Sequence, residues 1–226
     1  MASESIAGSE SHNRYVTLDG MRGVAAVVVA VFHFHGELAP SGYLAVDFFF
    51  ALSGFVLWKN YAPRFERSGL TTGAFLLCRF IRLYPLFLLG AAFGFIFALQ
   101  GYLRHSDGAA SAPDLVASAI FNIFMLPAPF GRVLYPLNPP AWSLFYELLA
   151  NAALCAVLVR VRYATSILIL CIAAIGLILL DLYNGSLGGG DEWSTTITAI
   201  FRTVFSFTAG VVLARSTASL SSCFLS

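Results

Sequence analysis

The sequence predicts an all-α membrane protein, a polytopic transmembrane helical bundle with about seven membrane segments. Of the 226 residues, 58% are hydrophobic and only 11% are charged, whereas soluble domains carry roughly 25% charged residues. The mean hydropathy is +0.80. Apolar runs also recur along the chain, and some reach the ~17–25 residues that a helix needs to span a bilayer. These runs lie near 24–38, 43–61, 83–99, 115–130, 143–159, 164–182 and 197–214.

The first three segments follow a polar N-terminal stretch. Residues 1–14 lack apolar periodicity, so we expect them to form a disordered cytoplasmic tail. Segment 1 carries Arg22 and His33 and ends near Pro40. Segment 2 carries Asp47 near its start, and a basic stretch follows it before segment 3.

The second half of the chain is less regular. A polar loop at 101–114 precedes segment 4, which is short and runs into a proline-rich stretch at 127–140. Segment 5 opens with Trp142, and segments 6 and 7 flank a glycine-rich acidic loop at 184–192, which we expect to be flexible. Residues 216–226 form a polar tail that is unlike a further helix.

The distribution of Lys and Arg predicts the topology, because cytoplasmic loops carry an excess of these residues. With a cytoplasmic N-terminus and a segment 4 that dips into the membrane and returns, only Arg104 and Arg132 lie outside. If segment 4 crosses fully, Arg160, Arg162 and Arg215 move outside as well. The positive-inside bias favours the re-entrant segment 4.

Arg22 and His33 form the most informative pair in the chain. They are separated by ten residues, and a step of 11 residues along a helix advances three turns plus ~20° and rises ~16 Å. Both side chains therefore lie on nearly the same face. A cation at the membrane surface in line with a histidine at mid-membrane depth suits a donor that has an anionic head and a reactive end on a long arm.

Further ionisable residues occur in or beside the apolar segments, where such groups are costly and indicate function. Neutral imidazole can act as a general base or a nucleophile, which makes His33 the strongest catalytic candidate. Glu147 could orient a histidine, accept a hydroxyl proton or simply pair two helices. Arg202 also lies within an apolar segment, without an assigned partner.

Five residues complete the candidate site. Arg79 and Arg82 share the presumed cytoplasmic side with Arg22, and their guanidinium groups could bind phosphates. Asp47 could bond locally at the start of segment 2, and Trp142 could mark a membrane interface or a substrate platform. Asp19 lies on the same helical face as Arg22 and His33.

Several chemistries have no signature in this sequence. There is no glycine-rich phosphate loop, no serine nucleophile elbow and no zinc-binding helix motif. The spacing of the cysteines is not that of metal ligands, so we expect no metal site. The net charge of +1 gives no reason to expect a nucleic-acid partner.

Four stretches, in this order along the chain, resemble the acyltransferase 3 family of integral membrane acyltransferases. The resemblance covers roughly residues 15–215, and the arginine and histidine of the first helix match the family's hallmark pair. The stretches are Leu18–Ala26 with His33, Asp47–Phe55, Arg79–Pro85 and Trp142–Glu147.

The resemblance implies a reaction and a location. Members of this family move an acyl group, often acetyl, from cytoplasmic acyl-CoA to a hydroxyl of an extracytoplasmic acceptor such as a carbohydrate or glycolipid. We therefore expect a multi-pass protein of the bacterial inner membrane that uses acyl-CoA as a donor substrate, without a bound cofactor. Arg22, Arg79 and Arg82 would hold the CoA phosphates, and His33 with Glu147 would carry the chemistry.

The chain departs from the family in length. Members usually carry further membrane helices, whereas this sequence stops near the seventh segment, so we expect the transmembrane domain at 15–215 to be incomplete at its C-terminus. Two alternatives remain beside the enzyme. The chain could be a non-catalytic remnant or assembly partner, or a proton-coupled transporter, since buried His and Glu also occur in proton relays.

Overall fold

The computed structural model describes the backbone of residues 2–67, 71–153, 157 and 160–223, and the side chains of 17–62, 71–153, 157 and 160–217. Within these ranges the chain forms helices and no β-strand, which confirms the predicted all-α class. The helices are α1 (Ala2–Phe34), α2 (Leu44–Arg67), α3 (Thr72–Leu103), α4 (Ala112–Ile123), α5 (Trp142–Ala153), α6 (Tyr163–Asn184) and α7 (Thr196–Cys223). Short 3-10 turns at Pro139–Ala141 and Trp193–Thr195 precede α5 and α7.

Four stretches of the described chain are long and apolar enough to cross a membrane, so seven membrane-crossing segments are not confirmed. The helices α4 and α5 have 12 residues each and are therefore ~18 Å long, well below the ~30 Å hydrocarbon core of a bilayer. The four candidate spans are Thr17–Phe34, Thr72–Leu103, Tyr163–Asn184 and Trp193–Thr217.

Local sequence explains where several helices begin and end. The Thr71 side chain caps α3 by accepting a hydrogen bond from the amide of Ala74, and the Ser111 side chain caps α4 by accepting one from the amide of Asp114. The helix α6 stops at Gly185, whose φ of 70° is the left-handed conformation that glycine adopts without a Cβ clash.

The helix α4 folds back along α3 instead of leaving it. The Tyr84 hydroxyl of α3 donates a 2.8 Å hydrogen bond to the carbonyl of Ile123, which satisfies a C-terminal carbonyl of α4 that has no partner within the helix. Beyond α4, the Asn138 amide donates to the carbonyl of Phe87, halfway along α3. The proline-rich stretch at 127–140 therefore lies beside the middle of α3, which fits a re-entrant α4.

The core of the bundle is the contact between α2 and α7. A Cβ atom on Gly210 would overlap the carbonyl oxygen of Ala51, and one on Gly54 would overlap that of Phe207. The two backbones touch at these glycines, because small residues allow helices to approach closely. Such close packing matters in a membrane, where the hydrophobic effect does not drive helices together. Aromatic rings pack around this seam, among them Phe50 against Trp142 with centroids 6.3 Å apart.

The bundle has two distinct ends. At the first, which we call the Arg202 end, the start of α7 meets the start of α2, because Arg202 is bonded to Asp47. At the second, the Arg215 end, the Arg215 guanidinium lies 4.6 Å from the Trp58 ring and donates to the carbonyl of Val161. The helix α1 packs mainly against α2 and reaches the Arg202 end at its C-terminus.

Two predictions concern the chain termini. The disorder expected for residues 1–14 stays a prediction, since side chains before Thr17 lie outside the described residues. In the polar tail at 216–226 the side chains beyond residue 217 lie outside them as well, although the backbone of α7 continues to Cys223.

We expect Gly210→Ala to destabilise the bundle, because the added methyl group must push α7 away from α2. Overpacking of a well-packed contact typically costs about 1–3 kcal/mol, which thermal unfolding in detergent would detect as a lowered midpoint. Gly73→Ala in the first turn of α3 is the matched control, since nothing lies within 4 Å of its Cβ position. Equal midpoints for the two variants would contradict the close helix contact.

Candidate active site

A cavity of about 250 Å³ opens at the Arg202 end of the bundle. It is enclosed by the end of α1, the start of α2, the turn before α5, the loop between α6 and α7, and the first turns of α7. Its walls carry both charged and aromatic side chains. The lining residues are Val29, Phe32, His33, Tyr43, Val46, Pro139, Pro140, Trp142, Gly188, Gly189, Asp191 and Arg202.

His33 enters this cavity with one ring nitrogen already engaged. Its Nδ1 lies 2.8 Å from the carbonyl oxygen of Val29, one turn earlier on α1. Because a carbonyl oxygen can only accept, Nδ1 carries the hydrogen and the lone pair of neutral His33 is on Nε2. A base whose tautomer is set by the backbone is thus available to a group bound in the cavity.

The depth of His33 differs from the sequence prediction. The spacing places it at mid-membrane depth, but in the structure it is the penultimate residue of α1 and its side chain is exposed. The reason is that the candidate span starts at Thr17 and ends at Phe34. His33 therefore lies near one surface, and the separation from Arg22 covers most of the span.

Arg202 closes the cavity from the α7 side and is 2% exposed. Its Nε and Nη2 donate to the Asp47 carboxylate, with the shortest bond at 2.9 Å. Its Nη1 donates to the carbonyls of Leu187 and Gly189, and Nη2 also donates to the carbonyl of Tyr43. The sequence identifies Arg202 and Asp47 separately as ionisable residues, but only the fold shows that they are partners.

Trp142 is a cavity wall and not a residue of an exposed membrane interface. It is 8% exposed, and the Arg202 guanidinium lies 5.6 Å from its ring centroid. Gly190, with a φ of 127°, passes so close that a Cβ there would come within 2.6 Å of the Trp142 ring. The glycine is required because its conformation and this contact both exclude a side chain.

The glycine-rich loop is held in place by several contacts, in contrast to the flexible loop that its composition predicts. The amide of Leu134 donates to the carbonyl of Asp191 at 2.7 Å. Beside it, the Arg132 Nε lies 2.8 Å from the Glu192 carboxylate, and this hydrogen bond holds the pKa of Glu192 below its usual range. The loop is therefore tied to the proline-rich stretch as well as to Arg202, and it presents Asp191 to the cavity.

Asp191 is a charged residue of the cavity that the sequence predictions miss. It belongs to a loop of glycine and acidic residues, a composition that is also that of a solvated surface loop, so nothing local marks it as part of a site. Its position follows from the contacts that the loop makes with distant parts of the chain.

A second polar centre lies deeper in the bundle, between α2, α3 and α5. The Arg79 Nη2 donates to Glu147 at 2.6 Å, and the Ser53 hydroxyl donates to the same carboxylate oxygen at 3.0 Å. Ser53 lies six residues beyond Asp47, so the centre is ~9 Å further along α2. The buried Arg79 Nε and both amide atoms of Asn151 have no hydrogen-bond partner among the described residues.

The structure does not bring Glu147 and His33 together. Glu147 is paired with Arg79 and does not line the His33 cavity. A catalytic role for Glu147 therefore stays a prediction. Its contacts fit the alternative, in which Glu147 forms an ion pair that holds α5 and α3 together. Removal of one partner from such a buried pair typically costs about 3–5 kcal/mol.

The predicted acyl-CoA-binding arginines occupy three different environments. Arg79 is buried, and Arg82 is exposed on the same helix. Arg22 is part-exposed and lies 3.4 Å from Asp19, one turn away, as their shared helical face predicts. Among the described residues there is no group of three or more His, Cys, Asp or Glu side chains that could hold a metal ion.

The chain shares sequence with curated proteins. It is 36% identical over 179 residues to "Protein 2 in picA locus" of Rhizobium radiobacter, which covers 74% of this chain and 94% of the relative. It is 34% identical over 74 residues to "Peptidoglycan O-acetyltransferase OatA" of Listeria monocytogenes, which covers 32% of this chain and 12% of the relative. No solved structure matches the chain significantly.

The family described as "Acyltransferase domain" matches residues 15–222, which include both polar centres and the whole cavity. With a match over that range, the chain belongs to the acyltransferase 3 family of membrane proteins.

Proposed function

We propose that this protein is a membrane O-acyltransferase that moves an acyl group, with acetyl the expected one, from cytoplasmic acyl-CoA to a hydroxyl of an extracytoplasmic carbohydrate or related acceptor. The observation that carries the proposal is the free Nε2 of His33 in a cavity at the C-terminal end of α1, with Arg22 about three turns earlier on the same helix. The similarity to a named peptidoglycan O-acetyltransferase supports acetyl transfer to a carbohydrate.

The charge distribution supports the sidedness that this reaction needs. Lys59, Arg160, Arg162 and Arg215 lie at or near the Arg215 end, whereas the loops of the Arg202 end carry mainly acidic residues. The positive-inside rule then assigns the Arg215 end to the cytoplasm and the His33 cavity to the far side. The protein would lie in the bacterial inner membrane with its N-terminus in the cytoplasm.

The donor would bind along α1. Its phosphates would contact Arg22, because guanidinium groups form paired, charge-assisted hydrogen bonds with phosphate oxygens. The pantetheine arm would then cover the ~16 Å rise between Arg22 and His33.

In the proposed transfer step, His33 acts first as a base and then as a proton donor. Nε2 of His33 removes the proton of the acceptor hydroxyl while the hydroxyl oxygen attacks the thioester carbonyl carbon. The tetrahedral intermediate then collapses, the carbon–sulfur bond breaks, and the imidazolium returns the proton to the CoA thiolate. The products are the O-acyl ester, free CoA and neutral His33, so no cofactor or metal is required by this route.

Glu147 would act in this scheme through Arg79. The short bond between them fixes the guanidinium, whose Nε remains without a partner among the described residues. A donor oxygen that reaches this centre could satisfy that nitrogen. We therefore propose that Glu147 is a positioning residue for Arg79 on the donor side.

His33→Ala should lower acyl transfer by about 10²–10⁴-fold, the usual contribution of a general base. The assay is transfer of labelled acetyl from acetyl-CoA by the purified chain in lipid. His35→Ala is the matched control, because His35 is exposed, follows α1 and does not line the cavity. Full transfer by a folded His33→Ala protein would refute the mechanism, and absence of transfer by the wild type would favour the non-catalytic alternative.

Arg22→Ala should weaken acetyl-CoA binding about tenfold or more, since a hydrogen bond to a charged group contributes about 1.5–3 kcal/mol. Isothermal titration calorimetry at two salt concentrations would measure this, and the wild-type affinity should fall as salt rises. Arg104→Ala, an exposed arginine at the other end of the bundle, is the control. An equal loss in both variants would show that the effect is non-specific.

Glu147→Gln should raise the KM for acetyl-CoA and lower the thermal midpoint, while the pH profile of kcat keeps its shape. This result is expected because the carboxylate contacts Arg79 and not His33. Asp181→Asn, at the exposed end of α6, is the control. A shifted pH profile with an unchanged KM would instead show that Glu147 acts on His33.

A further inference from the structure

We propose that Asp191 makes the His33 cavity selective for neutral, hydroxyl-rich acceptor groups and excludes anionic ones. This inference rests on the proposed acyl transfer and names the class of acceptor group that the same site would take.

The first support is the rigidity of the loop that carries Asp191. The residue follows Gly190, which packs against the Trp142 ring, and its carbonyl accepts the hydrogen bond from Leu134. Arg202 holds the carbonyls of Leu187 and Gly189 on the preceding side of the loop. The backbone of Asp191 is therefore held at the cavity wall, which keeps its side chain among the lining residues.

The second support is that this carboxylate is unused. No hydrogen bond or ion pair to the side chain of Asp191 occurs among the residues that the structure describes. Its neighbour Glu192 contrasts with it, since that carboxylate is bonded to Arg132 and Ser194. An ionised carboxylate without partners retains its capacity to accept hydrogen bonds from ligand hydroxyl groups.

The third support is the charge of the cavity as a whole. The guanidinium of Arg202 is the cationic group in the wall, and the Asp47 carboxylate bonded to it offsets its charge. His33 must be neutral to act as a base, and the other walls add Tyr43 and Trp142, which are uncharged. The remaining formal charge is that of Asp191, so the cavity is net negative during the reaction.

The lining residues and the volume of the His33 cavity also suit a single sugar ring. The Trp142 and Tyr43 rings, with Pro139 and Pro140, provide flat apolar surfaces that suit the C–H face of a pyranose. The volume of about 250 Å³ is below the ~300–1,000 Å³ of sites for drug-sized ligands. One ring with its hydroxyl groups fits such a site, whereas an added carboxylate on that ring would meet Asp191 at close range.

The test compares two probes that differ by one charge, methyl glucopyranoside and methyl glucopyranosiduronate. Binding of each to the full chain in lipid nanodiscs would be measured by saturation-transfer NMR titration, which requires no turnover. We expect the wild type to bind the neutral probe about tenfold more tightly, because one like charge at short range costs on the order of a factor of ten. Raising the salt concentration should reduce the difference in affinity between the two probes.

Asp191→Asn removes the charge but keeps the size and the backbone bond to Leu134. This variant should bind the two probes with nearly equal affinity, while Asp181→Asn should keep the wild-type preference. A wild type without preference, or a preference that survives Asp191→Asn, would overturn the inference. Neither result depends on acetyl-CoA, so a failure of acyl transfer in the His33 assay is a separate outcome.

Discussion

The buried guanidinium of Arg202 is the interaction on which the rest of the site depends. Burial of an unpaired charge costs several kcal/mol, so the chain must provide acceptors wherever this side chain lies. Its five N–H groups are all satisfied, by a carboxylate of α2 and by carbonyls of the α1–α2 connection and the α6–α7 loop. One side chain thereby joins four parts of the chain and shapes the cavity between them. Arg is suited to this role because its planar guanidinium group holds N–H donors in several fixed directions. The ammonium group of Lys does not offer donors in such a fixed plane.

The two buried ion pairs lie at different depths of the bundle. Both involve α2, through Asp47 at the cavity and Ser53 beside Arg79 and Glu147. The close contacts at Gly54 and Gly210 bring α7 near enough to α2 for the guanidinium group of Arg202 to contact Asp47. Close packing at the glycines and the pairing of a buried charge therefore both join α2 to α7.

The proposed reaction would use the geometry of α1. His33 lies at its C-terminal end, and Arg22 lies 11 residues earlier, a rise of ~16 Å. A thioester on a long arm would cover that distance if the donor phosphates bound at Arg22. The wall formed by Trp142 and the loop at 184–192 would then confine the acceptor beside Nε2 of His33.

Much of this protein can be predicted from local sequence, because helix periodicity and hydropathy are properties of neighbouring residues. They predict the all-helical membrane class, the short α4, the common face of Arg22 and His33, and the motifs of the family. The pairing of Glu147 with Arg79 and the position of Asp191 at the cavity were decided by the tertiary structure. Asp47 and Arg202 are 155 residues apart, and helical spacing contains no information about which helices become neighbours. A carboxylate acquires its role from the group that folding places opposite it, and that placement depends on the packing of the whole bundle.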